Sequence, residues 1–155
     1  MYPSPGNEIP DTFEGVKTWF SLDSNSLRCL ISSRWPDGVV HCPVCGSAQI
    51  HFLETRELWE CKSRHPKSQF SARVGTIMEG SHLSLEVWMT AIWMIANEPR
   101  VSSHEVARRL GITQKSAWSM LRRIKSAHRK ASELPGSQPE NPVVRDFDPG
   151  SPLWA

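Results

Sequence analysis

The residues best placed to do chemistry are Cys42-Pro-Val-Cys45-Gly46, followed by Cys61-Lys-Ser-Arg-His65. The spacing is Cys-x-x-Cys, fifteen intervening residues, then Cys-x-x-x-His. A proline and a glycine around the first pair shape a tight turn that points two thiolates at one ion. Short strands can return the second pair to the same place. Zinc takes four ligands in a tetrahedron and accepts both thiolate and imidazole, so Cys42, Cys45, Cys61 and His65 form a candidate zinc set. A closed set of four protein ligands has no position left for substrate, which makes the expected metal structural. A redox role for Cys42 and Cys45 would leave the second pair unexplained. Iron in a rubredoxin-like site would favour four cysteines. His41, His51 and Cys29 compete for the fourth position, but none has a paired partner. Cys29 lies on an apolar helix face and reads as a small core residue. His82, His104 and His128 read as surface residues.

The second chemically suggestive stretch is basic. The net charge of +2 is unevenly distributed along the chain. Residues 1–26 sum to −3, residues 27–99 balance, and residues 131–155 again sum to −3. Between Arg100 and Lys130 nine basic residues face Glu105 alone. Such a block is suited to a polyanion. It falls within SSHEVARRLGITQKSAWSMLRRIKSAHRK, which reads as two helices joined at Gly111. Ala107 is small enough for a close helix crossing, and Ile112, Ala117, Leu121 and Ile124 supply an inward face. That is the helix-turn-helix arrangement, whose second helix enters a DNA groove. Lys115, Ser119, Arg122, Ser126 and Arg129 recur on the opposite side of that helix. Candidate DNA-contacting residues are therefore Arg108, Arg109, Gln114, Lys115, Ser119, Arg122, Arg123 and Arg129, with Gln114 and Lys115 placed for base readout. The competing reading is a solvated face on a helical hairpin. Trp118, three residues before Leu121, is expected in the core.

Other elements must hold these two stretches in place. Phe13, Val16, Trp19 and Phe20 recur at helical spacing. Asp23 or Ser24 can cap a helix running to about Ser33, where RWPDG stops it. QIHFLE, ELWEC and QFSA read as short strands with a turn near Thr55–Arg56. Ser84 can cap a helix from Leu85 to about Asn97 that is apolar nearly all round, and so buried on several sides. It is expected to be the hub, packed on both the ribbon and the basic pair. Ser102 with Glu105 forms a capping box for the next helix, and Thr113 caps the last, which runs to about Lys130. The predicted fold class is α+β, a small β zinc ribbon followed by an all-α helix-turn-helix unit. Four segments are expected: a flexible arm over 1–11, N-terminal helices and ribbon over 12–80, a three-helix unit over 81–130, and a disordered tail over 131–155. Five prolines and two glycines after Leu134 motivate the last.

With those residues laid out, the chain resembles the N-terminal part of the zinc-ribbon insertion-sequence transposases of the group numbered fifteen-ninety-five. The matching pieces are RWPDG, CPVCGS, CKSRH, QFSARVGTIMEGS, LSLEVWMTAIWMIAN and SSHEVARRLGITQKSAWSMLRRI, covering about residues 12–130 in the family's order. The resemblance implies that the knuckles bind zinc, and that ribbon and helix-turn-helix recognise the element's terminal inverted repeats on double-stranded DNA. Complete members continue into a ribonuclease-H-like domain with an acidic triad. Only 25 residues follow Lys130 here. Asp146 and Asp148 sit in a proline-rich stretch without strand pattern, so no catalytic role is carried to them. The expectation is a non-catalytic, truncated transposase fragment that binds inverted repeats and has the full-length transposase as a further partner.

Composition narrows the rest. At 39% apolar and 22% charged residues, 155 residues can build one compact domain or two very small ones. No apolar run approaches the roughly 20 residues of a membrane span. The polar start, MYPSPGNEIPD, is unlike a signal peptide. Cysteines clustered for metal agree with a cytoplasmic chain and no membrane partner. A free-standing transcriptional regulator and a protein-interaction module are the alternative functions. No Ser/His/Asp set or phosphate loop suggests an enzyme.

Overall fold

The computed structural model describes residues 9–22 and 25–132. The Asp23/Ser24 cap, most of the N-terminal arm and the proline-rich tail of the sequence expectations lie outside them. Helices α1 (Phe13–Ser21) and α2 (Asn25–Arg34) precede three short strands, β1 (Ile50–Leu53), β2 (Leu58–Cys61) and β3 (Gln69–Phe70). Helices α3 (Leu85–Asn97), α4 (Ser103–Leu110) and α5 (Gln114–Ser132) follow. The architecture is α+β.

The strands form one antiparallel sheet in the order β1-β2-β3, with Ile50 opposite Cys61 and Trp59 opposite both Phe52 and Phe70. Trp59 organises this small unit. Its ring lies 5.0 Å from Phe52, 5.6 Å from Trp35 and 6.1 Å from Phe70, centroid to centroid. The third strand is shorter than the QFSA pattern predicts. Ala72 turns its carbonyl to Arg34, which donates to it at 2.8 Å, and Val74 N–H closes a turn on Ser71. That arginine thus ties the end of α2 to the end of the sheet.

Helix α3 is buried over seven consecutive residues, Trp88 to Met94, as its apolar circumference predicts. Its one buried hydroxyl, Thr90, donates back to the Glu86 carbonyl at 2.8 Å. Ser84 caps it by accepting from the Val87 N–H. Its neighbours differ from expectation. α3 packs on α1, α2 and α4, while the sheet keeps its own aromatic cluster beside α2. Val16, Trp19 and Phe20 of α1 are buried, because a helix apolar all round needs cover on more sides than α4 and α5 supply.

Ser102 accepts from the Glu105 N–H, but Glu105 does not return the favour expected of a capping box. Its carboxylate instead takes Arg108 at 2.6 Å. Gly111 then reverses the chain with φ +67°, and its N–H bonds to the Ala107 carbonyl. Thr113 accepts from the Ser116 N–H and starts α5. Nothing lies within 4 Å of where a Cβ on Gly111 would sit. Gly111→Ala should therefore destabilise through backbone strain alone, by about 1–2 kcal/mol in a denaturant titration. A neutral result would mean the turn relaxes at no cost.

Candidate metal centre and nucleic-acid face

The Cys42–Cys45 knuckle is built by local backbone bonding. Gly46 N–H donates to the Cys42 carbonyl at 2.8 Å, and Cys42 N–H donates to the Ser47 carbonyl at 2.9 Å. Gly46 adopts φ +73°, which its missing Cβ permits. Cys61 ends β2, with its N–H on the Ser68 carbonyl, so the sheet carries it back beneath the knuckle. The result is that the sulfurs of Cys42, Cys45 and Cys61 and a ring nitrogen of His65 all lie within 4.8 Å of one another. Cys45 Sγ is 3.6 Å from Cys61 Sγ, and Cys42 Sγ is 3.5 Å from His65 Nε2. A tetrahedron with zinc bonds of about 2.0–2.3 Å has edges of about 3.3–3.8 Å, so both separations match.

The surroundings prepare the ligands. His65 Nδ1 lies 2.7 Å from the Pro66 carbonyl, which can only accept, so Nδ1 carries the proton and Nε2 turns its lone pair to the cluster. That bond to the Pro66 carbonyl also raises the His65 pKa. Burial works against the charge on Cys42, but hydrogen bonds from the Cys45 and Val44 backbone outweigh it and bring the thiol down to about 6. Cys29 is the opposite case. Burial pushes it up to about 12, and it sits in the core away from the cluster, so it stays a thiol. His41 is exposed and points its Nδ1 to the Gly46 carbonyl, and His51 is exposed on β1. Among the described residues, no other group of three or more His, Cys, Asp or Glu side chains gathers in this way.

Residues 23–63 match the transposase zinc-ribbon domain family. This segment is similar to transposase zinc ribbons. The cluster is a structural zinc site, and the matched residues span α2, the knuckle, β1 and β2. His65 and β3 lie just beyond the matched residues, so geometry places the fourth ligand with the other three. No curated protein and no solved structure matches the chain.

Beyond the ribbon, α4 and α5 present the basic block. Ala117, Met120, Leu121 and Ile124 of α5 are buried. Met120 was not anticipated, though it shares their face at helical spacing. Gln114, Lys115, Ser119, Arg122 and Arg129 are exposed, and Ser126 is half-buried. Arg108 is exposed and paired with Glu105, which that arginine holds below the usual carboxylate range. Two of the sequence expectations need correction. Trp118 is 55% exposed, not in the core, because it is turned by about 100° from Ala117 and so leaves the inward face. Arg109 was expected on the DNA face. Instead its guanidinium meets Glu98 at 2.9 Å and covers the Phe13 ring at 4.3 Å, bracing α4 against α1 and the end of α3. Arg123, also expected there, is exposed, and its Nη1 donates to the carbonyls of Ile77 and Glu79, both at 3.1 Å.

Arg123 therefore ties α5 to the loop that follows the ribbon. Arg123→Ala should lower stability by about 1 kcal/mol in a denaturant titration and leave zinc content unchanged. An unaltered midpoint would show that the loop holds without it. No helix among the described residues is long and apolar enough to cross a membrane.

Proposed function

We propose that the chain is a zinc-dependent DNA-binding unit that recognises the terminal inverted repeats of an insertion element, with α5 as its reading helix. The observation that carries this is the outer face of α5. It bears Lys115, Arg122, Lys125 and Arg129, all exposed, on a helix without a single acidic residue. The αL turn at Gly111 and the buried Val106 and Ala117 support reading α4 and α5 as a helix-turn-helix. A transposase zinc ribbon on the same chain supplies the context of element ends. Recognition suits the site better than strand cleavage, since the gathered metal ligands are all protein groups and leave no position for a scissile phosphate. The full-length transposase is a natural partner at the same ends.

The test is a titration on two duplexes, one carrying the inverted repeat that flanks the gene and one with its sequence scrambled. The expected result is binding to both at low salt, with a preference of at least tenfold for the repeat. Equal binding would favour a regulator with another target. A protein-interaction role for the ribbon is the second reading, favoured by Val39 and Val44, which are 41% and 60% exposed on either side of Cys42. Absence of DNA binding at low salt would favour it.

A further inference from the structure

Trp118 is unlike the other tryptophans of the helical core. Trp19, Trp88 and Trp93 are buried, whereas Trp118 leaves 55% of its surface in water. The other large exposed apolar residues among those described, Leu22, Val39 and Val44, all lie outside the basic helix pair. An apolar surface of that size on a reading helix has a physical cost unless something covers it. Its neighbours narrow what that is. At about 100° per residue, Trp118 falls between Gln114 and Arg122 around the helix, and about 6 Å along the axis from each. Arg122 lays its guanidinium over the indole, 5.5 Å from the ring centroid. Lys115 and Lys125 flank the same face, and α5 contributes no acid to it. A second copy of this face would meet it with like charge. A polyanion is the complementary partner, and the apolar group that a duplex displays in its major groove is the thymine methyl.

We propose that Trp118 is a specificity-determining residue that packs against a thymine methyl in the major groove, and that its ring holds Arg122 in place beside it. This rests on the DNA-binding reading of α5. It adds a stated base and a stated chemical group that the basic residues cannot select, since charges on phosphates are blind to sequence.

A random-sequence duplex library, enriched on the zinc-loaded full chain, is copied once with thymine and once with deoxyuridine, which lacks only the methyl. The wild type should bind the thymine pool about fourfold more tightly, the value of one buried methyl-sized group. Trp118→Ala should bind both pools equally and about tenfold more weakly than the wild type binds thymine. Because the side chain is exposed, that variant should keep its zinc content and helicity. Equal wild-type binding to the two pools, or the same thymine preference in Trp118→Ala, overturns the proposal while leaving DNA binding intact. A wild-type dimer that Trp118→Ala converts to monomer in light scattering would also overturn it, in favour of an interface between copies. If the wild type binds neither pool at low salt, the DNA reading itself fails and this proposal falls with it.

Discussion

Cys61→Ser should lose the zinc and unfold the ribbon from about residue 40 to residue 72, leaving the helical core in place. Only ten residues of the described chain are in strands, four each in β1 and β2 and two in β3. A sheet of that size is marginal in water without further support. Its aromatic cluster, Trp59 with Phe52, Phe70 and Trp35, covers one face, and of knuckle residues 42–46 Cys42 alone is buried. Structural zinc in small modules contributes roughly 10–16 kcal/mol of apparent binding energy, comparable with or greater than the whole stability of an ordinary domain. Losing one thiolate should therefore cost more than the ribbon's own packing can offset. Cys29→Ser is the control. It places a hydroxyl in the core at about 1–3 kcal/mol but removes no ligand, so one zinc per chain should remain. His65→Cys should also retain zinc, since thiolate can take the place of imidazole. Metal analysis separates the variants, and amide exchange locates the unfolding. Full zinc in purified Cys61→Ser would sink the ligand assignment.

The second large effect is on DNA affinity. If Lys115, Arg122, Lys125 and Arg129 each neutralise a phosphate, the logarithm of the binding constant should fall by about 3.6 per logarithm of salt concentration. Between 50 and 200 mM salt that is a loss on the order of 150-fold. Arg122→Ala should reduce the slope by about one unit. Gln114→Ala should leave the slope nearly unchanged and weaken discrimination between sequences by about 1–3 kcal/mol, because a neutral side chain releases no counterion. The sharper comparison is with Arg109, which is paired within the protein. Arg109→Ala removes the same charge but also the Glu98 pair and the cover over Phe13, so it should lower stability and change the slope little. Anisotropy titrations of the wild type and the three variants at several salt concentrations decide this. A slope that drops equally for Arg109→Ala and Arg122→Ala would place Arg109 on the phosphates after all.

The metal ligands were legible from spacing alone. The chemistry of two knuckles needs particular atoms at short separations along the chain, and few alternative sets exist. Helix ends were also legible. Ser84, Ser102 and Gly111 act on backbone groups within a few residues, so local sequence suffices to place them. Apolar periodicity identified α3 as the most buried helix, but periodicity says only that a face is covered. It does not say by which element.

Those choices belong to tertiary structure. Whether α3 packs on the sheet or on α1 depends on contacts between residues some 70 positions apart, and the helical pattern of either partner would satisfy it equally. The basic residues show the same division most clearly. Arg109, Arg122 and Arg123 are identical in type and close in sequence, and each falls on or beside a polar face. Only the approach of Glu98 and Phe13 covers Arg109, and only the Ile77 and Glu79 carbonyls engage Arg123, which stays exposed. Sequence determined what the chain can bind, because ligand identity and net charge are properties of the residues themselves. Tertiary structure decided which charges and which tryptophan remain exposed, because exposure depends on what the rest of the chain leaves uncovered.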